Sequence, residues 1–247
     1  MAGFHGKRLI LPTRSSPILP ERRHPQSALH GRRKGKKLRF YQARLMETAL
    51  PQIALDVASA IVDPKALFGK QVSDVWLEIG FGGGEHLVNQ AVSNPETGFF
   101  GCEPFINGAA KLLTAIHEIP LPNVRVHLGD AVELIDCLPD ASISRIYLLY
   151  PDPWPKRRQR KRRFVSDSML IHLARILAPG GEFRFATDID DYAGWVLSRI
   201  LKCPDFSWSP DTSDSWTNPW EGWTETRYEA KAIREGRPRA YFRFIRI

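Results

Sequence analysis

Apolar positions change their spacing along this chain, and the changes mark its elements. From Phe40 to about Val62 they return at helical spacing, interrupted at Pro51, which predicts a helical segment capping a core. Short runs rich in Val, Ile, Phe and Leu then alternate with stretches of helical period. The expected strands are Val75 to Ile79, Gly98 to Cys102, Asn123 to Leu128, Ala141 to Leu149 and Glu182 to Thr187. The expected helices are Glu85 to Ser93, Phe105 to Glu118, a short one after Asp130, Phe164 to Ala178 ending at Pro179-Gly180-Gly181, and Asp190 to about Leu201. Strands alternating with helices imply a parallel sheet covered on both faces, a doubly wound α/β fold. The tail departs from this rhythm. Ser207 to Trp223 carries four tryptophans among polar residues and predicts a long ordered loop or hairpin, followed by a helix over Thr226 to Glu235 and a closing strand over Arg239 to Ile247. No internal repeat is present.

A hydrophobic content of 43% allows a full core. Cys102, Cys137 and Cys203 are widely spaced and match no metal-ligand pattern, so neither a disulfide framework nor a metal site is expected. No apolar run reaches the length of a membrane span and no secretory signal opens the chain, so a reducing, cytoplasmic setting is expected. Charge changes the picture more. The net charge is +8, and the first forty residues hold eleven Lys or Arg against Glu21 alone. Without a hydrophobic period, residues 1–40 predict a disordered or loosely attached extension on a single domain over 41–247. An Arg-rich, acid-poor start also fits an organelle transit peptide. A second basic block, Lys156 to Arg163, has seven cations in eight residues, and two such blocks point to nucleic acid.

That block continues from Tyr150-Pro151-Asp152-Pro153-Trp154-Pro155 at the carboxyl end of the fourth strand. Alternating prolines continue neither a helix nor a central strand, and they push Tyr150, Asp152 and Trp154 toward extended conformations. The loop is therefore stiff, and it presents an acid, an indole and phosphate-binding charge together. Trp154 is expected either to stack on a base or to pack under the loop.

In an open α/β sheet, ligands sit beyond the carboxyl ends of the strands. Glu78-Ile79-Gly80-Phe81-Gly82-Gly83-Gly84 is the first loop at that end, and its glycine spacing differs from the G-x-G-x-x-G of dinucleotide binders. Glu103 ends the second strand, where a carboxylate can take both hydroxyls of a ribose. Asp130 ends the third, where it can accept from an adenine amino group or cap a helix. An acid at each strand end fits a nucleoside cofactor carrying positive charge.

EIGFGGGEHL (78–87), GCEPF (101–105), GDA (129–131), YPDPWPKRRQRKRRF (150–164), FATD (185–188) and TRYEAKAIREGRP (226–238) together resemble the bacterial tRNA (guanine-N7)-methyltransferases, over roughly residues 70 to 247. The resemblance implies a seven-stranded, mostly parallel Rossmann-like methyltransferase fold, S-adenosylmethionine as cofactor and tRNA as substrate, methylated at the guanine of position 46. It implies cofactor contacts at Glu78, Gly80, Gly82, Glu103, Asp130 and Asp152, with Asp152 catalytic. It further implies substrate contacts at Lys156, Asp188, Thr226, Arg227, Tyr228 and Glu229, and RNA contacts at Arg158, Gln159, Arg160, Lys161, Arg162 and Arg163. Gln159 falls where many relatives carry His. Monomer and homodimer both stay open.

The chemistry agrees. Guanine N7 has a free lone pair, so its methylation needs no strong base, and a fixed carboxylate can stabilise the charge arriving on the purine. Thr226-x-x-Glu229 also has the form of a capping box. His86 and His117 look like ordinary helix residues. An amino-group methyltransferase, a dehydrogenase and an RNA-binding module with an idle cofactor fold are the competing classes; the glycine spacing, the Asp between prolines and the set of acids weigh against them.

Overall fold

The alternation along the first strand divides the molecule into two layers. In the computed structural model, which describes residues 30, 31 and 33–247, β1 spans Asp74–Ile79. Its Val75, Leu77 and Ile79 enter one apolar cluster while Trp76 enters another on the opposite face, as a period of two requires. β2 (Thr97–Cys102), β3 (Val124–His127), β4 (Ile143–Leu149) and β5 (Leu177–Thr187) add in parallel. A two-residue β6 (Phe206–Ser207) and β7 (Ala240–Arg246) complete the order β3-β2-β1-β4-β5-β7-β6, with β7 antiparallel to both its neighbours.

One face carries α1 (Phe40–Thr48), α2 (Leu50–Ile53), α3 (Glu85–Ser93) and α4 (Ile106–Glu118). The other carries α5 (Ala131–Cys137), α6 (Asp167–Ile176) and α7 (Asp190–Ile200). Helices on both faces make the sheet doubly wound. None of the described helices is long and apolar enough to cross a membrane.

Three elements differ from the sequence pattern. The first helical segment ends by Ile53, Pro51 having restarted it, and Ala54 instead bridges to Val126 of β3. α6 begins only after Ser166, whose hydroxyl accepts from Met169 N, and β5 starts at Leu177 and runs through Pro179-Gly180-Gly181. A register shift between Ile143 and Arg145 takes up that irregular run, which is where a strand tolerates Pro and Gly. The tryptophan-rich tail contains a short α8 (Asp214–Thr217) and leads to α9 (Arg227–Arg234). Trp208 and Trp216 pack on Phe242 of β7, and Trp220 and Trp223 on Tyr241.

The register places Ile79 opposite Cys102 and Leu148, and Leu149 opposite Ala186. The loops after β1, β2, β3 and β4 therefore share one edge. The described part of the basic extension is clipped there: Ile106 N donates to Arg33 O at 3.1 Å, Gly35 N to Asn107 Oδ1 at 2.7 Å, and Asn107 Nδ2 to Lys36 O at 2.7 Å. The Arg33 carbonyl thus satisfies one of the open N–H groups of α4's first turn. Residues 1–29 and Arg32, the remainder of the expected loose extension, lie outside the described residues.

Candidate nucleoside and nucleic-acid site

A cavity of about 370 Å³ opens at that edge. Its floor begins with the glycine turn after β1, where Gly82 and Gly84 have φ of +58° and +84°, conformations that favour glycine. α4 packs so closely that a Cβ on Gly108 would sit 2.1 Å from Gly82 O, which fixes the turn. Gly82 N donates to Glu103 Oε2 at 2.7 Å and Phe105 N to Oε1 at 2.8 Å. Burial pushes the Glu103 carboxyl above its ordinary range, and these two N–H donors pull it partly back. Asp130 accepts from Val132 N at 3.1 Å and also borders the cavity, so the helix cap and the cavity-facing acid are the same residue. Cys102, Ala131, Leu148, Leu149 and Phe164 supply apolar wall. Burial drives the Cys102 thiol far above its usual range, which keeps it uncharged.

Gly80, Gly82, Glu103, Asp130 and Asp152 all line this cavity, but Glu78 does not. Glu78 lies on the α3 face of β1, buried, with Oε2 2.8 Å from His86 Nδ1. The alternation contained the signal, since Glu78 falls between Leu77 and Ile79, both on the other face. His86 is its partner rather than an ordinary helix residue, and it packs against Tyr147 and Trp223.

The proline loop is stiff in an unexpected way. Tyr150 and Trp154 have φ of 49° and 42° in place of the extended conformation expected before proline. Each such bulky residue stores about 1–3 kcal/mol and persists only where its surroundings hold it. Tyr150 N donates to Ala186 O at 2.8 Å, and its side chain packs against the apolar cluster formed by Tyr147, Leu149, Ala186 and Tyr241. Trp154 borders the cavity, with the Arg162 guanidinium 5.0 Å from its ring centroid and His30 edge-on at 6.3 Å. Between them Asp152 is exposed and lines the cavity.

Behind the loop, Arg163 is 3% exposed. Its Nε donates to Pro153 O at 2.8 Å, its guanidinium lies over the Tyr192 and Trp195 rings at 4.8 and 5.0 Å, and it pairs with Asp191. The bond from Arg163 holds the Asp191 carboxyl below the usual range. Arg163 therefore fastens the loop to α7 and faces inward. The rest of the basic block forms a 3₁₀ helix over Arg157–Arg162. Arg158 and Lys161 are exposed, Gln159 is half-buried, Arg160 pairs with Asp191 at 2.7 Å, and Lys156 is exposed beside the cavity but outside its wall.

The tail positions divide likewise. Thr226 caps α9 by accepting from Glu229 N at 3.2 Å. Glu229 is buried and receives Trp223 Nε1 at 2.6 Å and the Tyr241 hydroxyl. Arg227 and Tyr228 line the cavity. Asp188 pairs with Arg237 at 2.6 Å, away from the cavity wall. Sequence missed His30 and Gly31, which also line the cavity; a Cβ on Gly31 would lie 3.4 Å from Asp152 Oδ2. Their segment has no period that could have revealed them.

A nucleoside-sized cavity at the carboxyl edge of this sheet, bordered by a stiff acidic loop and a basic 3₁₀ helix, defines an α/β methyltransferase architecture. TrmN from Thermus thermophilus has a similar fold, at a TM-score of 0.51 and 14% identity over 71% of this chain and 45% of that one. The profile of a family described as "Putative methyltransferase" matches residues 73–241. The tRNA (guanine-N(7)-)-methyltransferase of Rhodopseudomonas palustris (strain BisB5) is 52% identical over 91% of this chain and 88% of its own length. That of Bradyrhizobium diazoefficiens is 52% identical over 92% and 97%. The chain belongs to this tRNA (guanine-N7)-methyltransferase family.

Proposed function

We propose that this protein transfers the methyl group of S-adenosylmethionine to N7 of a guanine in tRNA, at position 46 of the variable loop, and that it works in the cytoplasm. One observation carries the reading: a single cavity is lined by Glu103, Asp130, Asp152 and Trp154 together. The residues fit the cofactor. Glu103 is a fixed buried carboxylate suited to paired ribose hydroxyls, Asp130 is an acceptor beside an apolar slot, and the turn at Gly80 and Gly82 has no side chain to block approach. When bound, S-adenosylmethionine supplies an electrophilic methyl on a sulfonium.

Asp152 requires no unusual basicity for this role, because N7 attacks with its own lone pair. Its carboxylate stands where positive charge grows on the purine, or accepts from the guanine N1–H and amino group. The strained loop gives up little freedom when substrate arrives, so alignment contributes much of the acceleration. Trp154 offers a wall against which a base can lie. Lys156, Arg158 and Lys161 suit phosphate contacts, which position RNA without reading its sequence; choice of guanine then rests on tRNA shape.

The test is methyl transfer from S-adenosylmethionine to unmodified tRNA, with the product nucleoside identified and Asp152→Ala run in parallel. The proposal expects 7-methylguanosine, lost in the variant while cofactor binding survives. A different methylated nucleoside refutes the target; full activity of Asp152→Ala refutes its role.

A further inference from the structure

Arg227 stands at an unusual place for a cation. It is the first residue of α9, and the buried bonds of Thr226 and Glu229 fix that helix start against β7. From there its guanidinium reaches the glycine turn: a nitrogen lies 3.2 Å from where a Cβ on Gly82 would be. It donates to the Tyr228 hydroxyl at 3.0 Å and lies over that ring. Among the described residues no carboxylate is within ion-pair distance of it, whereas Arg163 holds Asp191, Arg184 holds Glu182 and Arg237 holds Asp188. Among the described residues, the arginines in the cavity wall are this one and Arg162, whose guanidinium lies over Trp154.

The glycine turn needs such a donor. Turns of this kind often cradle anions with their own N–H groups, but here these are largely engaged. Gly80 and Phe81 donate to Cys102 O, Gly82 to Glu103, and Gly84 to Phe81 O. Along the strand order β3-β2-β1, the acids Asp130 and Glu103 come first and the glycine turn next. A nucleoside held at those acids directs its 5′ substituent to the turn. In S-adenosylmethionine that substituent ends in an ammonium and a carboxylate.

We propose that Arg227 binds the α-carboxylate of the methionyl tail of S-adenosylmethionine, rather than RNA. The inference rests on the cofactor reading above. A planar guanidinium takes a carboxylate through two parallel hydrogen bonds, and the prepaid positioning of α9 makes that contact firm.

Calorimetric titration of the full chain without RNA tests it, using S-adenosylmethionine and its decarboxylated analogue, which keeps the sulfonium and loses the carboxylate. Wild type prefers the complete cofactor, and Arg227→Gln weakens that ligand about ten- to a hundredfold while binding the analogue as before. Arg227→Lys, which keeps charge without the fork, retains an intermediate preference, and thermal melts of both variants check folding. Equal losses for the two ligands overturn the proposal, because they mean a distorted turn. Unchanged cofactor affinity also overturns it, and tRNA binding with a salt slope smaller by about one then marks Arg227 as a phosphate contact. If wild type binds no S-adenosylmethionine, the cofactor reading falls and takes this inference with it.

Discussion

Replacing Arg163 by methionine unfastens the loop that carries Asp152 while leaving the bonds that hold Glu103 and Asp130 in place. Methionine fills much of the space and adapts to gaps, so the loss is chiefly polar. The Pro153 carbonyl loses its 2.8 Å donor, at about 1–3 kcal/mol. The ring contacts with Tyr192 and Trp195 contribute roughly 0.5–2 kcal/mol more. The ion pair adds little, since the Asp191 side chain is 45% exposed and screened, about 0–1 kcal/mol. Against these, removing a buried cation recovers part of its desolvation cost. A net loss of about 2 kcal/mol follows, or a Tm lower by about 4–8 °C in a chain of this size. Calorimetry, S-adenosylmethionine titration and single-turnover methyl transfer read the three consequences: lower Tm, cofactor affinity within about threefold, and transfer at least about tenfold slower because a 1 Å misplacement is costly. An unchanged Tm together with weaker tRNA binding and a shallower salt slope would show Arg163 to be a phosphate contact and refute the reasoning.

Acid reveals the state of Glu103. Burial raises its carboxyl above the ordinary 4.5, so ionisation opposes folding and the ligand-free protein loses stability as pH rises through the folded value. Cofactor binding has the opposite slope: protonated Glu103 cannot accept from both ribose hydroxyls, so affinity falls already above pH 4.5, and titration of Glu103→Gln, weak and flat over that range, checks the assignment. Glu229→Gln leaves the Trp223 indole and Tyr241 hydroxyl imperfectly matched in a buried site. It lowers stability by about 1.5–3 kcal/mol with changed near-ultraviolet circular dichroism, and a silent variant would place Glu229 in substrate contact instead. Asn107→Ala removes both bonds to Gly35 and Lys36, so trypsin cleaves at Lys34 to Lys37 faster while the melt moves little; equal cleavage rates mean that the clip does not hold the extension.

Period carried most of the fold. β1 to β5 begin or end within a few residues of their hydrophobic runs, because each is buried on both faces and its composition is dictated by that. The site was legible where strand ends and glycines specify it, as at Gly82, Glu103 and Asp130. It was not legible where the decisive partner is distant. Nothing around Arg163 distinguishes it from Arg162 or Lys161; Asp191, Tyr192 and Trp195 on another helix turn it inward. Local proline rules placed Tyr150 and Trp154 in extended backbone, and tertiary contacts overrode them. Thr226 and Glu229 were recognisable as a cap, but their burial under Tyr241 depends on the tail folding back.

The cavity wall draws on residues near 30, 80, 103, 130, 152 and 227, and it brings Gly82 beside Arg227 and Gly31 beside Asp152. Such pairs enclose long loops of chain, and closing them costs entropy that only a largely formed sheet can repay. Ligand-binding surface of this kind arises late on the folding route. A ligand that needs the finished wall has nothing to hold in the early transition state, so it acts as a brake on opening rather than as a template for assembly: refolding proceeds at the same pace with or without it, while unfolding slows.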